Sequence, residues 1–153
     1  MANTYTQIHI HDVFAVQNRI CLINNSWKDE LYRYISGIIT QHNHKLIIIN
    51  GMPDHIHLLF GMRPDESLSD LIQDLKAHSS KWINSKKFVR EKFSWQEGYG
   101  GFSYGKSQVK SVIKYIESQA SHHKRYSFTD EYMKLLKLFE IEYDERFIFK
   151  HVI

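Results

Sequence analysis

Residues 45–61 read KLIIIN, then GMPD, then HIHLLFG. Two apolar, β-branched runs separated by a Gly/Pro turn demand an antiparallel hairpin. A lone hairpin is marginal in water, so the remaining chain must supply further strands and a covering layer. This stretch limits the fold more than any other.

The flanking segments supply those layers. Residues 4–16 mix β-branched, aromatic and alternating residues and read as a first strand. Residues 27–42 place Leu31, Tyr34, Ile35, Ile38 and Ile39 at helical spacing, with Ser26 as the expected cap and Gly37 weakening the pattern. Residues 64–88 form a longer helix with Leu68, Leu71, Ile72, Leu75, Ser79, Trp82 and Ile83 on one face. Ser67 and Asp70 open it as a capping box, with Asp in place of Glu. Residues 93–107 interleave four glycines with Phe93, Trp95, Tyr99, Phe102 and Tyr104, which predicts a long functional loop. Helices are expected over 107–125, capped by Ser107, and over 128–144, capped by Thr129. The terminal RFIFKHVI reads as a strand or extended tail. Helices around one antiparallel sheet predict an α+β, ferredoxin-like sandwich, with residues 1–153 as one domain.

Composition narrows the function classes. The apolar share of 42% and charged share of 24% are those of an ordinary globular protein. Apolar stretches of a few residues are far short of a membrane span. The start, MANTYTQIHIHD, lacks the basic and apolar regions of a secretion signal, so the cytoplasm is the expected compartment. A single cysteine, Cys21, excludes an internal disulfide and a cysteine-based zinc site. A net charge of +3 is too mild to argue for nucleic acid alone.

Histidine is more informative. The tripeptide His-Ile-His occurs twice, at 9–11 and at 55–57. On a strand, each pair points two imidazoles to one face, which can begin a metal site. The same pattern also fits a half-exposed surface. The copy at 55–57 follows a Pro-Asp turn and precedes an apolar anchor. Ile56 and Leu58 would face inward, His55 and His57 the other way, and Asp54 could accept from an imidazole N–H. In the helix expected over 107–125, Ser111, Tyr115, Gln119 and His122 form a ribbon beside the apolar face. Tyr115 and Gln119 stand one turn apart, either as nucleophile and ligand or as a half-buried tyrosine beside a solvated glutamine.

The pieces MPDHIHLL (52–59), SLSDLIQDLKAHSSKWI (67–83), WQEGYGGFS (95–103), YIESQASHH (115–123) and YDERF (143–147) occur in the order and spacing of a known family. The chain resembles the small single-tyrosine HUH transposases of compact bacterial insertion sequences, and their REP-associated relatives. HUH denotes His-hydrophobic-His, here His55-Ile56-His57. The resemblance implies His55, His57 and Gln119 as metal ligands and Tyr115 as nucleophile, with no metal ligand at 9–11. The chain departs from the family at Ala120 and Ser121, where acidic residues are common, and His122 and His123 have no assigned role.

The implied activity is cleavage and rejoining of single-stranded DNA through a 5′-phosphotyrosine. Neutral ligands around an open site suit Mg²⁺ or Mn²⁺. The basic residues Lys76, Lys81, Lys86, Lys87 and Arg90 are candidate phosphate contacts, with Lys106, Lys110 and Lys114 near the expected site. The same residues equally fit a solvated helix face. The resemblance further implies imperfect DNA hairpins at element ends as partners. It also implies a homodimer, in which Tyr115 acts in cis or in trans and the glycine-rich 98–105 segment lets its helix move. Two rival readings are a domesticated relative acting on chromosomal repeat hairpins and a DNA-binding module that no longer cuts.

Overall fold

The computed structural model describes residues 3–144. Four strands form one antiparallel sheet: β1 (His9–Ala15), β2 (Lys45–Met52), β3 (His55–Gly61) and β4 (Gly100–Tyr104), in spatial order β2-β3-β1-β4. Helices α1 (Lys28–Gln41) and α2 (Leu68–Lys86) complete a β-α-β-β-α-β unit, the expected ferredoxin-like arrangement. Three further helices follow: α3 (Val109–Glu117), α4 (Gln119–His122) and α5 (Phe128–Leu138).

Strand alternation divides the chain between two layers. Phe14, Ile56, Leu58 and Phe60 face α1 and α2, where they pack with Leu31, Ile35, Leu71, Leu75 and Ile83. On the other face Leu59 packs with Val112 and Ile116 of α3, and Val13, Ala15 and Phe102 pack with Phe128, Leu135 and Leu136. The His55/His57 face is therefore roofed by α3–α5, and both histidines are fully buried.

Several sequence expectations need correction. The ring-rich 93–107 segment is not a single loop, since Gly100–Tyr104 is edge strand β4, paired with β1. Its glycines obscured it, yet they are what the strand needs. A Cβ on Gly101 would stand 2.7 Å from Leu68 Cδ2, and one on Gly100 would stand 2.8 Å from the Tyr132 ring. The preceding residues are anchored too. Asn84 bonds both Phe93 N and Phe93 O, and Trp95 Nε1 donates to Ser79 Oγ at 2.9 Å, which explains a serine on the apolar face of α2. The expected terminal strand lies outside the described residues.

The caps also differ. Ser67 accepts from Asp70 N at 3.0 Å, as expected. Ser26 instead bonds Asn24, and α1 opens at Trp27 without a side-chain cap. Ser127, not Thr129, caps α5, because Asp130 three residues on can close a reciprocal box. Ser107 lies within a 3₁₀ turn over Lys106–Gln108 that Gln108 closes onto Gly105 N. The helix expected over 107–125 breaks at Ser118, whose hydroxyl donates back to Lys114 O at 2.7 Å. Asn50 of β2 donates to the Ile116 carbonyl at 2.8 Å, holding that break against the sheet. The helix expected over 128–144 ends at Leu138, just before Glu140 at φ 54°.

Candidate active site

The hairpin positions the first two site residues. The His55 Nδ1 proton is donated to Asp54 Oδ1 at 2.7 Å, leaving Nε2 pointed into the space beneath α3–α5. His57, two residues on, points the same way. The break at Ser118 turns Gln119 inward. It is fully buried, not solvated, and its Oε1 accepts from His55 Nε2 at 3.1 Å and from His123 Nε2 at 3.1 Å. Tyr115, one turn before, lies with its ring edge-on to His57, centroids 5.8 Å apart. His55, His57, Gln119 and Tyr115 thus share one cluster, assembled within a single chain.

At its centre stands a residue that the sequence reading missed. Glu131 of α5 is buried, and its Oε1 accepts from His57 Nε2 at 2.9 Å and from His123 Nε2 at 3.2 Å, with His55 Nε2 at 3.3 Å. Its other oxygen accepts from Gln119 Nε2 at 3.1 Å and from the Tyr115 hydroxyl. The sequence signal was its spacing, three residues after Phe128 and four before Leu135, on the buried face of α5. His123, left without a role, belongs to the cluster, whereas His122 lies beside the Tyr115 ring at 4.9 Å.

The charges follow from these contacts. Burial opposes ionisation of Glu131, but hydrogen bonds from His123, His55 and His57 outweigh it and hold the carboxyl well below its usual range. Burial also opposes charge on His55, yet Asp54 and Glu131 overcome it and raise its pKa to about 9. Burial lowers the His57 pKa, against the opposing pull of Glu131. Tyr115 is pushed up, first by burial and then by the Glu131 charge.

The donor set suits a divalent ion. His55, His57 and Glu131 each offer one ligand atom, all within 4.8 Å of one another. Imidazole nitrogens with a carboxylate oxygen are a mixed set that several divalent metals accept. A carboxylate, Glu131, thus stands beside the expected His55, His57 and Gln119 as a further candidate ligand.

The basic residues divide by location. Lys81, Lys86, Lys87 and Arg90 are exposed in or just after α2, in the layer on the opposite face of the sheet from the histidines. Lys76 is directed inward, where its ammonium donates to Gln96 O at 2.9 Å and to Gly98 O, holding the segment before β4. Lys106, Lys110 and Lys114 are exposed on the approach to Tyr115. A cavity of about 500 Å³ opens beside the site, lined by Tyr104, Tyr115, His123, Tyr126, Glu131 and Lys134 among others.

A ferredoxin-like sheet, a buried His-hydrophobic-His pair and a tyrosine from α3 together point to the tyrosine transposases. Residues 4–119 match the family described as IS200-like transposase, and the chain belongs to that family. It is 27% identical over 118 residues to the ISDra2 transposase TnpA of Deinococcus radiodurans, covering 74% of this chain and 84% of the relative. Two solved structures share the fold. One is of a protein assigned as a transposase from Deinococcus radiodurans R1, with TM-score 0.63, 22% identity, and 76% and 94% of the two chains covered. The other is a REP-associated tyrosine transposase bound to a REP hairpin, with TM-score 0.62, 13% identity, and 79% and 72% covered. The family match ends at Gln119, so Glu131 and His123 lie beyond it. Among the described residues, no helix is long and apolar enough to cross a membrane.

Proposed function

We propose that this transposase nicks and rejoins single-stranded DNA through a 5′-phosphotyrosine on Tyr115, assisted by Mg²⁺ or Mn²⁺. The observation that carries this reading is the Tyr115 hydroxyl bonded to a carboxylate that also contacts His55 and His57. His55, His57 and Glu131 would hold the ion, with the Gln119 amide oxygen beside them. When bound, the ion would polarise the phosphate oxygens and offset charge that develops on them.

The chain's own groups do the rest. A phenol with an ordinary pKa of ~10 needs a base to become a nucleophile. Glu131 already accepts the Tyr115 hydrogen bond, so it is placed to take that proton. The tyrosine oxygen bonds phosphorus, the bond from phosphorus to the 3′ oxygen breaks, and that oxygen leaves as a 3′-OH after gaining a proton. The phosphotyrosine is itself a phosphodiester. A second 3′-OH can attack it, reseal a strand and release Tyr115 without ATP.

The cavity beside Tyr115 offers a route for an unpaired strand, with Lys134 in its lining, and Lys106, Lys110 and Lys114 are exposed along the segment that leads to Tyr115. A hairpin at an element end is the DNA class we favour, supported by the relative bound to a REP hairpin. We also propose that Tyr115 acts in cis, since it meets the histidines of its own chain, whether or not the protein dimerises. Mixing Tyr115→Phe with His55→Ala subunits tests this: no recovered cleavage is expected, and recovery would show action in trans. The activity itself is tested with both single strands flanking the gene, incubated with Mn²⁺ and run on denaturing gels. A protein–DNA adduct absent from Tyr115→Phe is expected. Tight hairpin binding with no adduct would favour a non-cutting module.

A further inference from the structure

The first His-Ile-His copy has no part in the reading above, yet the fold brings its second histidine to the site. In the β1/β3 ladder Val13 lies opposite His57 and His11 opposite Leu59, so His11 points to the same face as His57. His11 is fully buried. Its Nε2 lies 2.7 Å from His57 Nδ1, with ring centroids 5.0 Å apart and planes at 21°. The Tyr115 and Phe102 rings close around it at 6.1 and 5.9 Å. His57 is therefore held at both nitrogens.

Two facing imidazole nitrogens share one proton, and the far side of His57 decides who carries it. His57 Nε2 faces the Glu131 carboxylate, which can only accept, so Nε2 bears a proton. In neutral His57 the other nitrogen, Nδ1, is then bare, and His11 Nε2 donates to it. His11 Nδ1 is left bare, buried and without a hydrogen-bond partner.

Binding an ion inverts this arrangement. A ligating nitrogen must offer its lone pair, so His57 Nε2 loses its proton and Nδ1 gains one. That new N–H needs an acceptor, and His11 Nε2 is the atom in place. His55 needs no such change, because its Nδ1 already donates to Asp54. A carboxylate at position 11 could accept equally well, but it would place negative charge beside a phosphodiester. An imidazole serves both states without net charge.

We propose that His11 is a positioning residue for His57, switching from hydrogen-bond donor to acceptor as His57 turns a bare Nε2 toward a divalent ion. The protons balance. One crosses from His11 Nε2 to His57 Nδ1, the His57 Nε2 proton leaves by way of Glu131, and one from water reaches His11 Nδ1 as the buried cluster opens to admit the ion. This inference rests on His55 and His57 being ion ligands.

The test uses the full chain without DNA. Long-range ¹H–¹⁵N spectra of the imidazoles, recorded during a Mg²⁺ titration, read tautomers directly. We expect His57 to move from Nε2–H to Nδ1–H while His55 keeps Nδ1–H and changes at Nε2. A response at His55 with no tautomer change at His57 overturns the role of His11 alone. No response at either histidine overturns the ion reading and this inference with it. Calorimetric titration with Mn²⁺ then separates positioning from packing. His11→Phe fills the space but cannot hydrogen-bond, and affinity should fall about 10–100-fold. His11→Gln can present either N–H or C=O at the same place and should restore affinity to within about threefold of wild type. Unchanged Mn²⁺ affinity in a folded His11→Phe, or equal loss in both variants, contradicts the proposal.

Discussion

The Tyr115 hydroxyl donates its hydrogen bond to Glu131, whose second oxygen accepts from His57 Nε2 at 2.9 Å. The candidate nucleophile and the candidate ion site are thus joined through one carboxylate. That carboxylate adds to burial in raising the Tyr115 pKa, and it is the acceptor in place for the phenol proton once its histidine hydrogen bonds are released.

Glu131→Gln separates these two effects. The amide keeps the shape but neither carries charge nor takes a proton at neutral pH. We expect Mn²⁺ affinity to fall and single-turnover adduct formation to slow by about 10²-fold or more, the usual size of a general-base contribution. Adduct formation faster than wild type would show that Glu131 only holds Tyr115 back.

Asp12 gives the fold a pH signature. It is fully buried on β1, and no side chain hydrogen-bonds its carboxyl. Burial raises its pKa to about 8 against the opposing charge of Lys76. Unfolded, the group titrates near ~4. Between those values the folded state keeps a proton that the unfolded state has lost, so this contribution to stability declines as pH rises through the window. Asp12→Asn, always neutral, removes the decline. Urea unfolding should find the variant more stable than wild type at pH 8.5, by up to about 5 kcal/mol, and nearly equal at pH 4. The same difference at both pH values would contradict this.

Gly51 fixes the hairpin against the first ligand candidate. It pairs with Ile56, and a Cβ at Gly51 would stand 2.2 Å from the His55 carbonyl oxygen. That contact is backbone and cannot rotate away. Gly51→Ala should cost about 1–3 kcal/mol in denaturant unfolding and weaken Mn²⁺ binding by shifting His55. Unchanged stability would show that the hairpin tolerates a wider turn.

The lysines beside the site and those on α2 should differ in their hold on DNA. Replacing Lys106, Lys110 and Lys114 with Gln should weaken hairpin binding and flatten the log–log salt dependence by about 0.7–0.9 per lost phosphate contact. The same change at Lys81, Lys86 and Lys87, across the sheet, should do much less. The reverse result would place the DNA on the α2 face.

The sheet's centre was legible because the β2–β3 hairpin carries local signals: β-branched runs, a Gly/Pro turn and strict alternation. The site's first four members were legible for a different reason, a resemblance carried by short motifs. What escaped depended on contacts distant in sequence. Strand β4 was hidden because its glycines make room for Leu68 and Tyr132, neighbours only in the folded chain. The break at Ser118 is held against the sheet by Asn50, 66 residues before the carbonyl it bonds. Glu131 looked like any helix-surface glutamate until α5 was laid over the histidines. His11 was dismissed with its strand, although the β1/β3 register sets it against His57.

The most direct measurement is to isolate the protein–DNA adduct, digest it and locate the nucleotide-bearing residue by mass spectrometry. The chain has nine tyrosines. We expect the nucleotide on Tyr115, joined through a 5′ phosphate. A nucleotide on any other residue, or no covalent adduct on strands that are nonetheless cut, would contradict the proposed chemistry.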